Sequence, residues 1–116
     1  MELHKLLETL KKKMPFKPHT SSGDIILVGM KEGVFYGVVQ SIDKNVKKNW
    51  FNLNFKLLVI PPVDVTWILR TPQMNGEIFF MDEEEHFVIA LNTGRSNEKP
   101  KKSFLKLVEN EPDNKS

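Results

Sequence analysis

Residues 23–43 read GDIILVGMKEGVFYGVVQSID, and this stretch decides the fold. An apolar run over residues 25–30 is followed by Lys31, Glu32 and Gly33, then by a second run rich in β-branched and aromatic residues that ends at Ile42. Two such runs about a short Gly-containing turn are the signature of a β-hairpin. In the first run Ile25 and Leu27 alternate with Ile26, Val28 and Met30, so both faces are apolar and the strand is expected to be enclosed on both sides. Residues 31–33 suit a loop in which Gly33 is left-handed and forms a bulge. In the second run Val34, Tyr36, Val38, Gln40 and Ile42 are expected on one face, opposite Phe35, Gly37 and Val39. Tyr36, with apolar neighbours on its own face, is read as core. Gly37 predicts a bend or a close backbone approach, and Gly29, Gly33 and Gly37 are all assigned to turns and bends.

Downstream the pattern adds strands to this hairpin. Residues 43–49, DKNVKKN, form a polar loop. The longest strand is expected next, because Phe51, Leu53, Phe55, Leu57 and Val59 alternate with Asn52, Asn54 and Lys56. Its first half shows a polar face to water; its second half, with Leu58 and Ile60 also apolar, is expected to be enclosed. Pro61 and Pro62 break the ladder, since neither has a backbone donor. Val63, Val65, Trp67 and Leu69 then alternate with Asp64, Thr66 and Arg70, and Trp67 is read as core. Residues 71–76 read as a loop, and residues 77–81 and 86–91 as a second hairpin about the acidic turn 82–85. Residues 92–102 lack apolar periodicity and are read as a linker. Phe104, Leu105, Leu107 and Val108 suit a short closing strand or helical turn that docks back on the body.

Upstream, Leu3, Leu6, Leu7, Leu10 and Met14 fall on one face of a helix, with Glu8 and Lys12 paired one turn apart on another. Lys11, Lys12 and Lys13 complement the C-terminal end of its dipole and Pro15 stops it. Residues 16–22 are an extended connector. The fold class is therefore mainly β: an SH3-like or related partly open small barrel of five to six strands, with an N-terminal amphipathic helix covering one opening or an oligomer interface. The organisation read from the chain is a helix over residues 1–16 packed on a β domain of residues 17–109, and a frayed tail of residues 110–116.

A chain of 116 residues fits one domain with one core. The absence of cysteine excludes disulfides, thiolate nucleophiles, iron–sulfur clusters and Cys-based zinc sites. No apolar run approaches the roughly 20 residues needed to span a bilayer, and the N-terminus alternates Leu with charge, so a cytoplasmic protein is expected. Charge is divided: residues 1–58 carry ten Lys against five acids, and residues 59–116 carry seven Lys or Arg against ten acids. That permits contact with a polyanion on one side, while the net charge of +2 argues against a strongly basic nucleic-acid binder.

Catalytic patterns are missing. Ser21 and Ser22 precede a strand and lack the G-x-S-x-G frame of a nucleophile elbow. His4, His19 and His86 stand far apart on helix, connector and strand, with no metal-binding spacing. The acids 82–85 lack the alternation and glycine of a calcium loop and read as a solvated turn. No phosphate-cradling G-x-x-x-x-G-K-[ST] exists. No cofactor, no metal and no catalytic residue is expected.

One stretch interleaves basic, aromatic and amide residues: Lys47, Lys48, Trp50, Asn52, Asn54 and Lys56. By the period of two, Trp50, Asn52, Asn54 and Lys56 share a strand face. Such a strip suits stacking of a base and pairing with phosphates. It is also what any solvated strand face carries, with lysines that discourage edge pairing, and Trp50 is what sets it apart.

The sequence GDIILV, then YGVVQSID, then a Trp-bearing strand resembles the opening of SH3-like small barrels, the group that includes tudor-type and KOW-type modules. The resemblance covers residues 23–58 and implies a binding module, carrying over no functional residue. The early GD-containing strand is also similar to that of PemK-like toxins, but no Arg or Pro in the second strand matches their active-site region. The expected function is a non-enzymatic binding module that contacts a protein partner or single-stranded nucleic acid through the Trp50–Lys56 strip. The alternatives are a self-associating structural or regulatory protein that uses Leu3, Leu6, Leu7 and Leu10, and a small nuclease-like toxin.

Overall fold

The computed structural model describes residues 2–93. Its order is α1 (Leu3–Lys13), β1 (Ile25–Met30), β2 (Gly33–Lys44), β3 (Phe51–Leu57), β4 (Val63–Leu69), α2 (Thr71–Met74), β5 (Phe79–Met81) and β6 (Glu84–Ala90). The six strands make one antiparallel sheet in the order β4-β3-β2-β1-β6-β5, curled into a half-barrel. The hairpin of residues 23–43 lies at its centre, as its doubly apolar first strand requires: residues 26–29 of β1 are buried between β2 and β6. The expected closing element at residues 104–108, most of the 92–102 linker and the tail 110–116 lie outside the described residues.

Alternation along the strands divides the apolar side chains between two faces. The inner face gathers Ile26, Val28, Val39, Leu53, Phe55, Leu69, Met74, Phe79, Val88 and Ala90. The outer face of β1 and β6 carries Leu27, Phe87 and Ile89, which pack with Leu7 of α1. Leu3, Leu10 and Met14 pack on the same cluster, so the helix lies on the outside of the sheet, away from the inner core. Its first turn is held by β6, because the Leu3 N–H donates to Glu85 Oε1 at 2.8 Å, satisfying an amide that a helix start leaves without a partner.

Several local expectations are corrected. The β1–β2 loop has two residues, Lys31 and Glu32, since Gly33 pairs with Met30 and stands as the first residue of β2 with no bulge. The bulge lies instead between Val39 and Ser41. There Gln40 is the extra residue, so Val39 and Ile42 both reach the inner face opposite Phe55 and Leu53, and strict alternation fails. Tyr36 lies on the outer side of that strand and is 52% exposed, so it is not core. The longest strand is β2, with 12 residues, and β3 ends at Leu57. Leu58 and Ile60 beyond it are exposed, not enclosed: Leu58, still bonded to the Tyr36 carbonyl, lies on the uncovered outer face, and at Ile60 the chain has left the sheet before Pro61. Residues 71–74 form a helical turn started by Pro72, and the β5–β6 turn is only Asp82 and Glu83, both at positive φ.

Two glycines answer to close packing. A Cβ on Gly29 would stand 2.3 Å from the Phe87 ring that lies over it from β6, so this glycine makes room in mid-strand and is not at a bend. At Gly37 a Cβ would come within 3.2 Å of the Lys56 carbonyl oxygen, the close approach expected there.

Candidate cationic and aromatic binding site

The β2–β3 connection, six residues long between the paired Lys44 and Phe51, is built by Asn45. The Asn45 side-chain oxygen accepts the Lys47 N–H at 2.9 Å, and its amide donates to Asn52 Oδ1 at 2.8 Å. The Asn45 N–H donates to the Trp50 carbonyl at 2.9 Å and the Trp50 N–H to the Lys47 carbonyl at 3.1 Å. Asn49 closes the loop at φ 68°, a conformation its short polar side chain tolerates. Trp50 therefore sits at the end of this loop, just before β3, half-buried and fixed by its backbone.

The register brings a second cation to that ring. Phe51 pairs with Leu69, which sets Arg70 level with Trp50 at the end of β4. Lys47 Nζ stands 5.0 Å and Arg70 Cζ 5.5 Å from the Trp50 ring centroid. Gln73 of α2 steadies Arg70, accepting its N–H at 2.9 Å. Among the described residues Lys47, Lys48 and Arg70 make no ion pair with a carboxylate, and all three are exposed. Ile68, on the same outer face, is 52% exposed beside them.

The rest of the expected strip is occupied. Asn54 donates to Ser41 Oγ and Asp43 Oδ2, each at 2.9 Å, and accepts the Thr66 hydroxyl at 2.6 Å, so it ties β2, β3 and β4 together across the outer face. Asn52 is engaged with Asn45. Lys56 donates to Asp64 Oδ1 at 2.7 Å on the neighbouring strand. The six residues singled out from sequence thus separate into a cationic and aromatic end, Lys47, Lys48 and Trp50, and an internally bonded polar ladder, Asn52, Asn54 and Lys56. Sequence alone does not bring Arg70 to this site, since only strand register places it there, whereas Asn45 carries a local signal as an Asn opening a polar loop.

The other titratable groups are dispersed. His4 Nδ1 lies 2.9 Å from Glu85 Oε2 and its Nε2 3.5 Å from Glu2 Oε1. That hydrogen bond from His4, with the Leu3 amide, holds the Glu85 carboxyl below its ordinary value. His86 is stacked on Phe79 at 5.7 Å, with Nδ1 donating to the Glu84 carbonyl at 2.8 Å. Among the described residues no three metal-ligating side chains come together, and no helix is long and apolar enough to cross a membrane. Of the helix positions, Leu7 is buried and Leu3 and Leu10 are partly buried against the sheet, while Leu6 lies beside them, half-exposed. No family model, no curated protein and no solved structure matches the chain.

Proposed function

We propose that the chain is a non-enzymatic binding module of the small-barrel type, working in the cytoplasm, that takes single-stranded nucleic acid at the Trp50 end of β3 and β4. The observation that supports this most is the Trp50 ring with Lys47 at 5.0 Å and Arg70 at 5.5 Å. An unpaired base offers a π-face to an indole or a guanidinium plane, and the adjoining phosphate takes the cations of Lys47, Lys48 and Arg70. Arg70 adds a planar fork that grips phosphate oxygens through two donors. The ladder of Asn54 and Lys56 is a stiff support for this end and not part of the contact.

Fluorescence anisotropy of a labelled oligothymidylate, titrated with the full chain at low and at moderate salt, tests the reading. Trp50→Ala is expected to weaken binding by roughly tenfold, the loss of one stacked base. Lys47→Ala with Arg70→Ala is expected to flatten the salt dependence as well. An affinity that none of these substitutions changes, or no binding at low salt, overturns it.

A further inference from the structure

The outer face of the sheet changes character beside the Lys56–Asp64 pair. Ile25 pairs with Val38 and Leu27 with Tyr36 across β1 and β2. The Leu58 N–H donates to the Tyr36 carbonyl at 2.9 Å, which sets Leu58 opposite Tyr36. Ile25, Val38, Tyr36 and Leu58 therefore share the outer face with Leu27. Leu27 is covered by α1, but the covering ends there: Tyr36 is 52%, Leu58 47% and Ile25 36% exposed. Apolar side chains scattered singly over a surface need no explanation, whereas a contiguous group beside a covered apolar face marks a contact surface.

The chain leaves the sheet at the rim of this group. The Leu91 N–H donates to the Ile25 carbonyl at 2.8 Å, and Asn92 and Thr93 line one cleft with Gly23 and Ile25. Beyond Thr93 the sequence continues to Ser116, and within it Phe104, Leu105, Leu107 and Val108 stand together amid polar residues. Ten residues separate Thr93 from Phe104. Fully extended they span roughly 35 Å, so the tether reaches any point of the group. A tether of that length also holds the segment at an effective concentration of order millimolar, well above that of a second free copy.

We infer that the chain's own residues 104–108, FLKLV, dock on the Ile25–Val38–Tyr36–Leu58 surface and extend over β2 and β3 the apolar cover that α1 supplies over β1 and β6. The chain has no cysteine, so Lys106→Cys in the full chain accepts a single nitroxide. Paramagnetic broadening of the NMR signals of Ile25, Tyr36, Val38 and Leu58 in the dilute labelled chain is the expected result. Adding Phe104→Asp and Leu107→Asp is expected to abolish it. A mixture of isotope-labelled chain without nitroxide and nitroxide chain without isotope reads contact between copies: broadening seen there and absent at dilution assigns the surface to a second copy and overturns the inference. Equally contrary are broadening centred on Trp50, broadening that survives the two Asp substitutions, and none at all.

Discussion

The indole of Trp67 stands at 90° to the imidazole of His86, with 5.4 Å between ring centroids. Trp67 is on β4, one edge of the sheet, and His86 on β6, next to the other edge, so this contact crosses the open side of the half-barrel. The same indole meets Phe55 at 5.2 Å and Phe79 at 5.8 Å, both edge-on, the arrangement that aromatic quadrupoles favour. The Trp67 side chain therefore joins the two ends of the curled sheet. Trp67→Ala is expected to cost about 3 kcal/mol, the low end for a large aromatic because this one is half-exposed. Urea unfolding measures it, and a midpoint like that of the wild type would show that the curl is held by other means.

Gly29 offers a sharper packing test. Its would-be Cβ overlaps the Phe87 ring, which is itself fully buried and cannot swing away. Gly29→Ala should destabilise by about 1–3 kcal/mol, as overpacking does. In the Phe87→Leu background the same change should cost less, because the ring edge it strikes is gone; equal costs in both backgrounds would place the strain elsewhere.

The α1 anchor should respond to acid. Glu85 has its folded pKa depressed below 4.5 by the His4 hydrogen bond and the Leu3 amide. A depressed carboxylate contributes stability that is present above its unfolded pKa and lost as pH falls through the folded one. The contribution of this group is thus intact above about pH 4.5 and fades on further acidification. Glu85→Gln should lower stability near neutral pH and flatten this acid limb, measured by urea midpoints across the acid range. An unchanged acid limb would remove Glu85 from the anchor.

Asn54 separates support from contact. Asn54→Ala leaves the Ser41, Asp43 and Thr66 partners without their bridge, and a cost of about 1 kcal/mol is expected at this half-exposed position. Oligonucleotide affinity should hardly move. The opposite pattern, normal stability with weakened binding, would return the ladder to the binding face.

The legibility of the fold and of the site differ for a physical reason. The strands and helix α1 are legible because the doubly apolar run of β1, the alternation in β3 and β4, the turn residues between strands and the Leu3–Leu7–Leu10 spacing are local properties of the chain. Tyr36 shares the sequence alternation of Ile42, but the bulge at Gln40, which no composition marks, turns Ile42 to the inner face and leaves Tyr36 on an outer face only partly covered by α1. The apolarity of Leu58 and Ile60 says neither that the outer face at Leu58 is left uncovered nor that the chain has left the sheet by Ile60. At the site Trp50 and Lys47 lie within one loop and could be read together. Arg70 could not, since its place beside Trp50 follows from the Phe51–Leu69 register and from nothing within either strand.

The site makes a quantitative claim about salt. With the three cations Lys47, Lys48 and Arg70 at the Trp50 end, a plot of log affinity against log salt should have a slope of about −2 for single strands. A slope near zero would mean that the phosphates are not held there.

The most direct measurement follows the two indole N–H signals of the full chain by NMR as a short oligothymidylate is added at low salt. Trp50 lies under Lys47 and Arg70 on the outer face, and Trp67 lies among Phe55, Phe79 and His86 on the inner. The Trp50 signal is expected to shift progressively with the amides of Lys47, Lys48 and Arg70, while Trp67 stays in place. Shifts confined to the surface around Tyr36 and Leu58, or no shift of Trp50, would contradict the proposed binding site.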